Sequence, residues 1–131
     1  MTEESGRIYR DPDFHDGYLN GIRVTRESTL ELYCTTIDGE AYVVSLAGLE
    51  RLKADNFLEG NIIFEIELFE SSFPIALVKK AFGLEEQEHP AWIDEKLAEM
   101  SRESWTLLEL SSSYGCDLVA IAHGKIRVER A

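Results

Sequence analysis

The sequence predicts an α+β fold built on a mainly antiparallel, strongly curved sheet of about seven strands. The first observation is the alternation of apolar with acidic residues at positions 60–70, which is typical of a strand with one buried face. The second is the Asp38-Gly39 pair between two such stretches, because both residue types accept the backbone of a tight hairpin turn. The third is the grouping of two short helical patterns between the fourth or fifth strand and the last three. Strands in runs with grouped helices favour this class over a parallel βαβ fold.

Seven stretches carry the strand pattern. In chain order they are residues 18–26, 29–37, 40–46, 60–70, 105–111, 116–123 and 125–130. The alternation in the fourth of them predicts a core face made of Ile62, Phe64, Ile66 and Leu68, against which the helices are expected to pack. Residues 116–123 are apolar on both faces, which predicts a central strand.

Other segments give weaker patterns. Residues 49–54 fit either a helical turn or a bent strand, because Leu49 and Leu52 lie three positions apart. Residues 1–13 are polar and predict a loose N-terminal tail with a turn at residues 11–13.

The two helices are predicted from their starts. One begins near Ser71-Ser72-Phe73-Pro74 and ends at Gly83, and the other begins at His89-Pro90. Proline suits a first helical turn because its φ is already helical, and glycine suits a helix end.

The charge balance narrows the classes of partner. The length of 131 residues predicts one domain. Thirteen Lys and Arg against 25 Asp and Glu leave a formal net charge of −12. Nucleic-acid binding and docking to an anionic membrane are disfavoured, because both need clustered cations. A basic protein partner and plain solubility both remain consistent with the acidity.

The expected compartment is the cytoplasm. The first residues lack the basic and apolar regions of a signal peptide, and no apolar run approaches the length of a membrane span. Cys34 and Cys116 do not form a CxxC pair and are expected to be reduced and buried, although a disulfide between them stays open.

His15-Asp16 is the most reactive-looking pair in the chain. A carboxylate can orient an imidazole, so a base or a metal ligand at this position is one interpretation. Adjacent side chains of an extended segment point apart, however, and His89 and His123 have no metal-ligand spacing to His15. The favoured interpretation is a turn that sets the entry of the first strand, and no metal is predicted.

Two further sets of residues are candidates for binding. Glu65 and Glu67 share one strand face, and Glu31 lies on the solvent side of its own strand, so together they predict an acidic sheet face for a basic partner. His15 and Asp16 are further candidates for contact with this partner. A pocket between sheet and helices, lined by Phe64, Trp92 and Trp105, is the alternative.

No pattern for catalysis stands out. Phosphate-binding glycine loops, GxSxG and HExxH are all absent from the sequence. The sequence therefore predicts a non-catalytic protein without a cofactor.

Four short segments resemble a known group of proteins. They are Phe-His-Asp-Gly at 14–17, Asp-Asn-Phe at 55–57, Gly-Asn-Ile-Ile at 60–63 and Ser-Tyr-Gly-Cys at 113–116. Together they look like a small family of uncharacterised bacterial proteins, and Phe-His-Asp before an antiparallel ladder is similar to some immunity proteins of polymorphic toxin systems. The resemblance implies a small, acidic, cytosolic, non-catalytic domain that protects its cell by binding a toxin.

Overall fold

The computed structural model describes residues 6–131, which form an antiparallel sheet of nine strands and two helices. The strands are β1 Arg7–Ile8, β2 Tyr18–Val24, β3 Leu30–Thr35, β4 Ala41–Leu46, β5 Leu49–Asp55, β6 Asn61–Phe69, β7 Thr106–Tyr114, β8 Asp117–Ala122 and β9 Arg127–Arg130. The helices are α1 Ile75–Ala81 and α2 Ala91–Arg102. The predicted α+β class and antiparallel sheet are confirmed.

Within the described residues, the strands lie in the order β5-β8-β7-β6-β2-β3-β4-β9, and β1 also pairs with β6. β8 lies between β5 and β7 and buries both of its faces, as predicted for a central strand. The helices follow the sixth strand rather than the fourth or fifth, since β1 and β5 add to the predicted strands.

β5 explains the odd spacing of residues 49–54. The register between β5 and β8 shifts between Leu49 and Arg51, so Glu50 is an extra residue in the ladder. Such a bulge lets Leu49 and Leu52, three positions apart, face the same core. The segment is therefore a bent strand.

The inner face of the sheet is covered by the sheet itself. β4 continues into β5, and β8 continues into β9, as one antiparallel ribbon that pairs through its corner. There the His123 N–H donates to the Gly48 carbonyl at 2.9 Å, and the Gly124 N–H donates to the Ala47 carbonyl at 2.9 Å. The inner core contains Leu30, Leu32, Val44 and Leu46 from one half of the sheet and Ile63, Ile66, Leu108, Leu110, Leu118 and Ala120 from the other.

The two helices cover part of the opposite, outer face. α1 packs against β8 and β5, and α2 packs against α1. Pro74 and Pro90 directly precede the two helices, and Gly83 follows α1 with a positive φ, which confirms the predicted starts and stop. The helix layer contains Phe69, Val78, Ala81, Ile93, Met100, Trp105, Leu107, Val119 and Ile121. Among residues 6–131, neither helix is long and apolar enough to cross a membrane.

The predicted core face of β6 is half wrong. Ile63 pairs with Ser112 and Glu65 pairs with Ser111, so Phe64 is an extra residue that breaks the alternation. Ile63, Ile66 and Leu68 point into the inner core, whereas Phe64 is 48% exposed and Ile62 faces outward. The helices consequently pack on the other parity of the strand, at Phe69.

The N-terminal segment needs a correction over its described part. β1 pairs with Leu68 and Glu67 of β6, and the Tyr9 N–H donates to the Ile66 carbonyl at 2.8 Å. The turn predicted at residues 11–13 is present. Residues 6–13 thus lie along β6 rather than forming a loose tail, and residues 1–5 lie outside the described residues.

Both cysteines are buried free thiols. Cys34 and Cys116 belong to the inner core. Burial raises the pKa of Cys34 to about 12, since the interior disfavours the thiolate. Burial also raises the pKa of Cys116.

Candidate functional site

The register of four strands brings five carboxylates together on the outer face of the sheet, beside the helices. Glu67 pairs with Glu109 across β6 and β7, and Glu65 lies two residues along on the same face. β8 and β5 add Asp117 and Asp55, which pair with each other. We call these five residues the acidic patch: Asp55, Glu65, Glu67, Glu109 and Asp117.

Glu109 lies at the centre of the acidic patch. Its pKa is raised, chiefly because it is half-buried and next because Glu67 is directly opposite, while Lys80 of α1 partly opposes the shift. Like charges directly opposite each other on a sheet destabilise the fold. The two carboxylates are therefore held together at a cost in stability.

Few counter-ions lie on the patch. Lys53 approaches Asp55 at 3.5 Å. Among residues 6–131, no Lys, Arg or His forms a salt bridge with Glu65, Glu67 or Glu109. A partly exposed group of this kind can receive cations from outside the molecule.

Glu31 lies apart from the acidic patch. Its carboxylate pairs with Arg23 at 3.3 Å and accepts a hydrogen bond from the Tyr33 hydroxyl at 2.7 Å. Tyr18 of β2 pairs with Thr35 near the end of β3 and with Ile62 near the start of β6, so these two residues lie side by side. Glu31 precedes Thr35 along β3, whereas Glu65 follows Ile62 along β6, which runs in the same direction. The register separates them by about 20 Å along the strand direction. Of the three glutamates of the predicted acidic face, the structure brings together only Glu65 and Glu67.

His15 and Asp16 form a turn that is docked on the bulge of β6. Asp16 has a φ of 63°, and this left-handed conformation brings His15 Nε2 to 3.6 Å from Asp16 Oδ2. The expectation that the two side chains point apart is therefore wrong, because it assumed an extended backbone. His15 Nδ1 donates to the Phe64 carbonyl at 2.7 Å. That carbonyl, followed by Asp16, raises the pKa of His15.

The main chain of the same turn continues the sheet. The Asp16 N–H donates to the Ile63 carbonyl at 2.9 Å, and the Ile63 N–H donates to the Gly17 carbonyl at 2.9 Å. A side chain at Gly17 would collide with the Thr35 carbonyl, so only glycine fits there. The turn ends directly at Tyr18, where β2 begins, which agrees with the interpretation that it sets the entry of this strand.

His15 lines two surface cavities. The first, of about 230 Å³, lies between residues 8–15 and β6. Its walls include Tyr9, Arg10, Phe14, His15, Phe64 and Glu65. The second, of about 400 Å³, is lined by His15 and by acidic residues that include Asp16, Asp38 and Glu40.

The predicted aromatic pocket is not assembled. Trp105 is buried in the helix layer and stacks on His123, with ring centroids 4.1 Å apart. Trp92 is 42% exposed and contacts the Phe82 ring edge-on. Phe64 lies at the bulge, toward the other end of β6 from Trp105. Between the helices and the sheet, buried side chains of both pack into one cluster that includes Val78, Ile93 and Val119.

The described histidines bind neighbouring carboxylates. His89 pairs with Asp94 at 3.0 Å, and His123 pairs with Glu50 at 3.1 Å. Within residues 6–131, no group of three His, Cys, Asp or Glu is arranged to hold a metal ion.

No protein-family model, curated protein or solved structure matches this chain. The similarity to immunity proteins therefore stays a prediction. Chemically, the acidic patch can attract and hold cations, and the cavity beside His15 offers aromatic walls with a few polar groups.

Proposed function

We propose that the protein is a non-catalytic binding protein of the cytoplasm that holds a basic protein partner at the acidic patch, in the manner of an immunity protein. The observation that carries the proposal is the pair Glu67–Glu109, two carboxylates placed directly opposite each other. The pair has no salt-bridge partner among residues 6–131. A partner's lysines and arginines would supply the missing charge.

The energetics support this interpretation. A cross-strand pair of like charges costs about 0.2–1 kcal/mol, and burial of Glu109 adds to the penalty for its charged form. Residues that lower the stability of the fold and make no compensating contact within it are typical of binding sites, where function opposes stability.

A toxin or another basic protein suits the site better than a nucleic acid. The net charge of −12 repels phosphates and attracts cationic proteins over the range of the Debye length. Complementary charges across an interface mainly raise the association rate and select the partner.

The test is affinity purification from the native cell with three forms of the protein. The patch variant carries Glu65→Gln, Glu67→Gln and Glu109→Gln. The matched control carries Glu85→Gln, Glu86→Gln and Glu95→Gln, three exposed carboxylates outside the patch. We expect a basic protein to be retained by the wild type and the control but lost by the patch variant.

Salt provides a second arm of the same experiment. Retention should weaken between about 0.05 M and about 0.3 M salt, because screening shortens the reach of the patch. Equal loss in the patch variant and the control would mean that only net charge matters, and retention indifferent to salt would contradict the electrostatic basis. Either result refutes the proposal.

A small-ligand binding domain is the second candidate function. It is favoured by the cavity of about 230 Å³ beside His15, where the rings of Tyr9, Phe14 and Phe64 meet two charged side chains. Ligand-observed NMR with a set of aromatic fragments would test it. Fragments that bind the wild type but not a Phe64→Ser variant support this function, and a set without any binder removes it.

A further inference from the structure

Three neighbouring residues form an exposed apolar row on the outer face of the sheet. Tyr18 of β2 pairs with Ile62 of β6, and Ile62 pairs with Tyr114 of β7. Tyr18 is 44% exposed and Tyr114 is 47% exposed, and Ile62 lies half-buried between them. Because adjacent strands lie about 4.8 Å apart, the row is about 10 Å wide.

The bulge of β6 extends this row toward the acidic patch. Phe64, exposed by 48%, stands between Ile62 and Glu65 along the strand. We call Tyr18, Ile62, Phe64 and Tyr114 the aromatic strip. The strip and the acidic patch are thus neighbours on one face of β6 and β7.

Adjacent aromatic and charged surfaces of this kind have the composition of a protein interface. Tyrosine and phenylalanine are enriched at the centres of interfaces, where they lose water on binding, and polar residues form the rim. Tyr114 already contacts one carboxylate, since its hydroxyl lies 3.3 Å from Glu59 Oε2. Tyrosine faces also attract the guanidinium groups of arginine.

Charge decides between the possible occupants of the strip. A second copy of this chain would bring another acidic patch, including Glu65 and Glu67, close to the first, in a protein of net charge −12. Repulsion between the copies would oppose that contact, whereas a basic partner would be attracted.

We infer that the aromatic strip is the apolar anchor point for an extended basic partner segment that presents cationic and then apolar side chains on one face, at every second residue. Glu65 and Glu67 are about 6.8 Å apart along the strand, which is the spacing of alternate side chains in an extended segment. Arginines would lie over the acidic patch while an apolar side chain covers Tyr18 and Tyr114. The inference rests on the proposed function and adds the chemistry of the partner.

The test uses two labelled peptides of about ten residues and equal charge, both with Ser at every second position. In the Arg–Leu peptide the positions between these serines are Arg and then Leu, and in the Arg–Ser peptide Ser replaces each Leu. Fluorescence anisotropy gives the Kd of each for the wild-type protein. We expect the Arg–Leu peptide to bind at least about tenfold more tightly, which equals about 1.4 kcal/mol. Tyr18→Ser with Tyr114→Ser should remove this advantage, and the patch variant should weaken both peptides.

Trp92→Ser is the matched control, because it removes an aromatic side chain of similar exposure outside the strip. It should keep the advantage of the Arg–Leu peptide. Circular dichroism checks that every variant is folded. If the variant with Tyr18→Ser and Tyr114→Ser is unfolded, the NMR signal of the Ile62 δ1-methyl group in the wild type tests the contact instead. This signal should shift with the Arg–Leu peptide and not with the Arg–Ser peptide.

The outcomes separate the two proposals. Equal binding of both peptides, weakened by the patch variant, overturns the aromatic strip and leaves the proposed function standing. Binding of neither peptide refutes both. Sedimentation that reveals a dimer, dissociated by Tyr18→Ser with Tyr114→Ser, would identify a second copy as the occupant and overturn the inference.

Discussion

Phe64 illustrates the limit of a periodicity argument at the scale of one residue. Strict alternation at positions 60–70 places it in the core, but one extra residue in the ladder moves it to the surface. Ile66 and Leu68, beyond the bulge, lie in the core as predicted. A bulge leaves no mark in the polarity pattern when the extra residue is itself apolar.

Ile63, and not Phe64, occupies the core. Truncation of the smaller side chain is therefore predicted to lower the stability more than truncation of the larger one. Ile63→Ala should cost about 2–5 kcal/mol, because Ile63 is fully buried, whereas Phe64→Ala should cost about 1 kcal/mol or less. Urea unfolding at equal m-values measures both. A larger loss for Phe64→Ala would contradict the bulge.

Replacement of Glu109 by a neutral residue is predicted to stabilise the protein in a pH-dependent way. Its folded pKa lies above the ordinary value of 4.5, so the folded protein binds this proton more tightly than the unfolded chain does. Stability therefore falls as the pH rises from about 4.5 through the raised pKa, and the full penalty applies above it. Glu109→Gln removes the penalty, and we expect it to stabilise the fold by about 0.5 kcal/mol at neutral pH, since solvent screens a half-exposed group.

Denaturant unfolding of Glu109→Gln and the wild type at several pH values measures this effect. The advantage of the variant should disappear well below pH 4.5, where the carboxyl group is protonated in both states. Ser111→Ala, on the same strand face, is the control and should show no such pH dependence. A variant that is less stable than the wild type at neutral pH would contradict the charge repulsion.

At the scale of elements, strands with regular alternation and helices that follow a proline could be predicted. β3 and β4 follow from alternation and the Asp38-Gly39 turn, and both helices follow from Pro74 and Pro90. β1 could not be predicted because two residues carry no periodicity, and its pairing with β6 gives it its strand conformation. β5 was ambiguous because its bulge changes the spacing of its apolar residues.

The buried side chain of Asn61 joins several elements, and its removal is predicted to cause a large loss of stability. Asn61, at the start of β6, donates from Nδ2 to the Leu19 and Leu58 carbonyls at 3.1 and 2.9 Å. Its Oδ1 accepts from the N–H groups of Leu58 and Cys116 at 2.8 and 3.0 Å. Asn61→Ala leaves buried backbone groups unpaired and should cost about 3 kcal/mol or more in the free energy of unfolding.

Gly115 tests the same contact from the other side. A Cβ there would collide with Asn61 Oδ1, and its φ of +94° also disfavours a side chain. Gly115→Ala should therefore destabilise the wild type more than it destabilises the Asn61→Ala variant. A double-mutant cycle measured by urea unfolding gives the coupling, and strict additivity would contradict it.

At the scale of the whole molecule, the sheet register decides which carboxylates meet. Glu65 and Glu67 could be predicted as neighbours because they lie on one strand. Asp55 and Asp117 come from strands distant in sequence, and alternation indicates a face but not the neighbouring strand. The same limit placed Glu31 in the predicted site, although the register puts it elsewhere.

The rate at which the Cys34 thiol is labelled is predicted to report the opening of the inner core between the two halves of the sheet. Its side chain is 1% exposed and its pKa is about 12, so it should react with a thiol reagent only when the two halves of the sheet separate. In a Cys116→Ala background, we expect the labelling rate of Cys34 to follow the population of the unfolded state as urea is added. Rapid labelling that is independent of urea would contradict a core shared by both halves.

The ribbon formed by β4–β5 and β8–β9 has a consequence for synthesis in the cell. β5 is translated early, yet its only strand partner in the described sheet is β8, which is made more than sixty residues later. Until residues 117–122 emerge, β5 and β7 have bare edges that can pair with other chains. The nascent protein therefore cannot close its sheet in stages from the N-terminus, and a pause in translation before β8 would favour aggregation over folding.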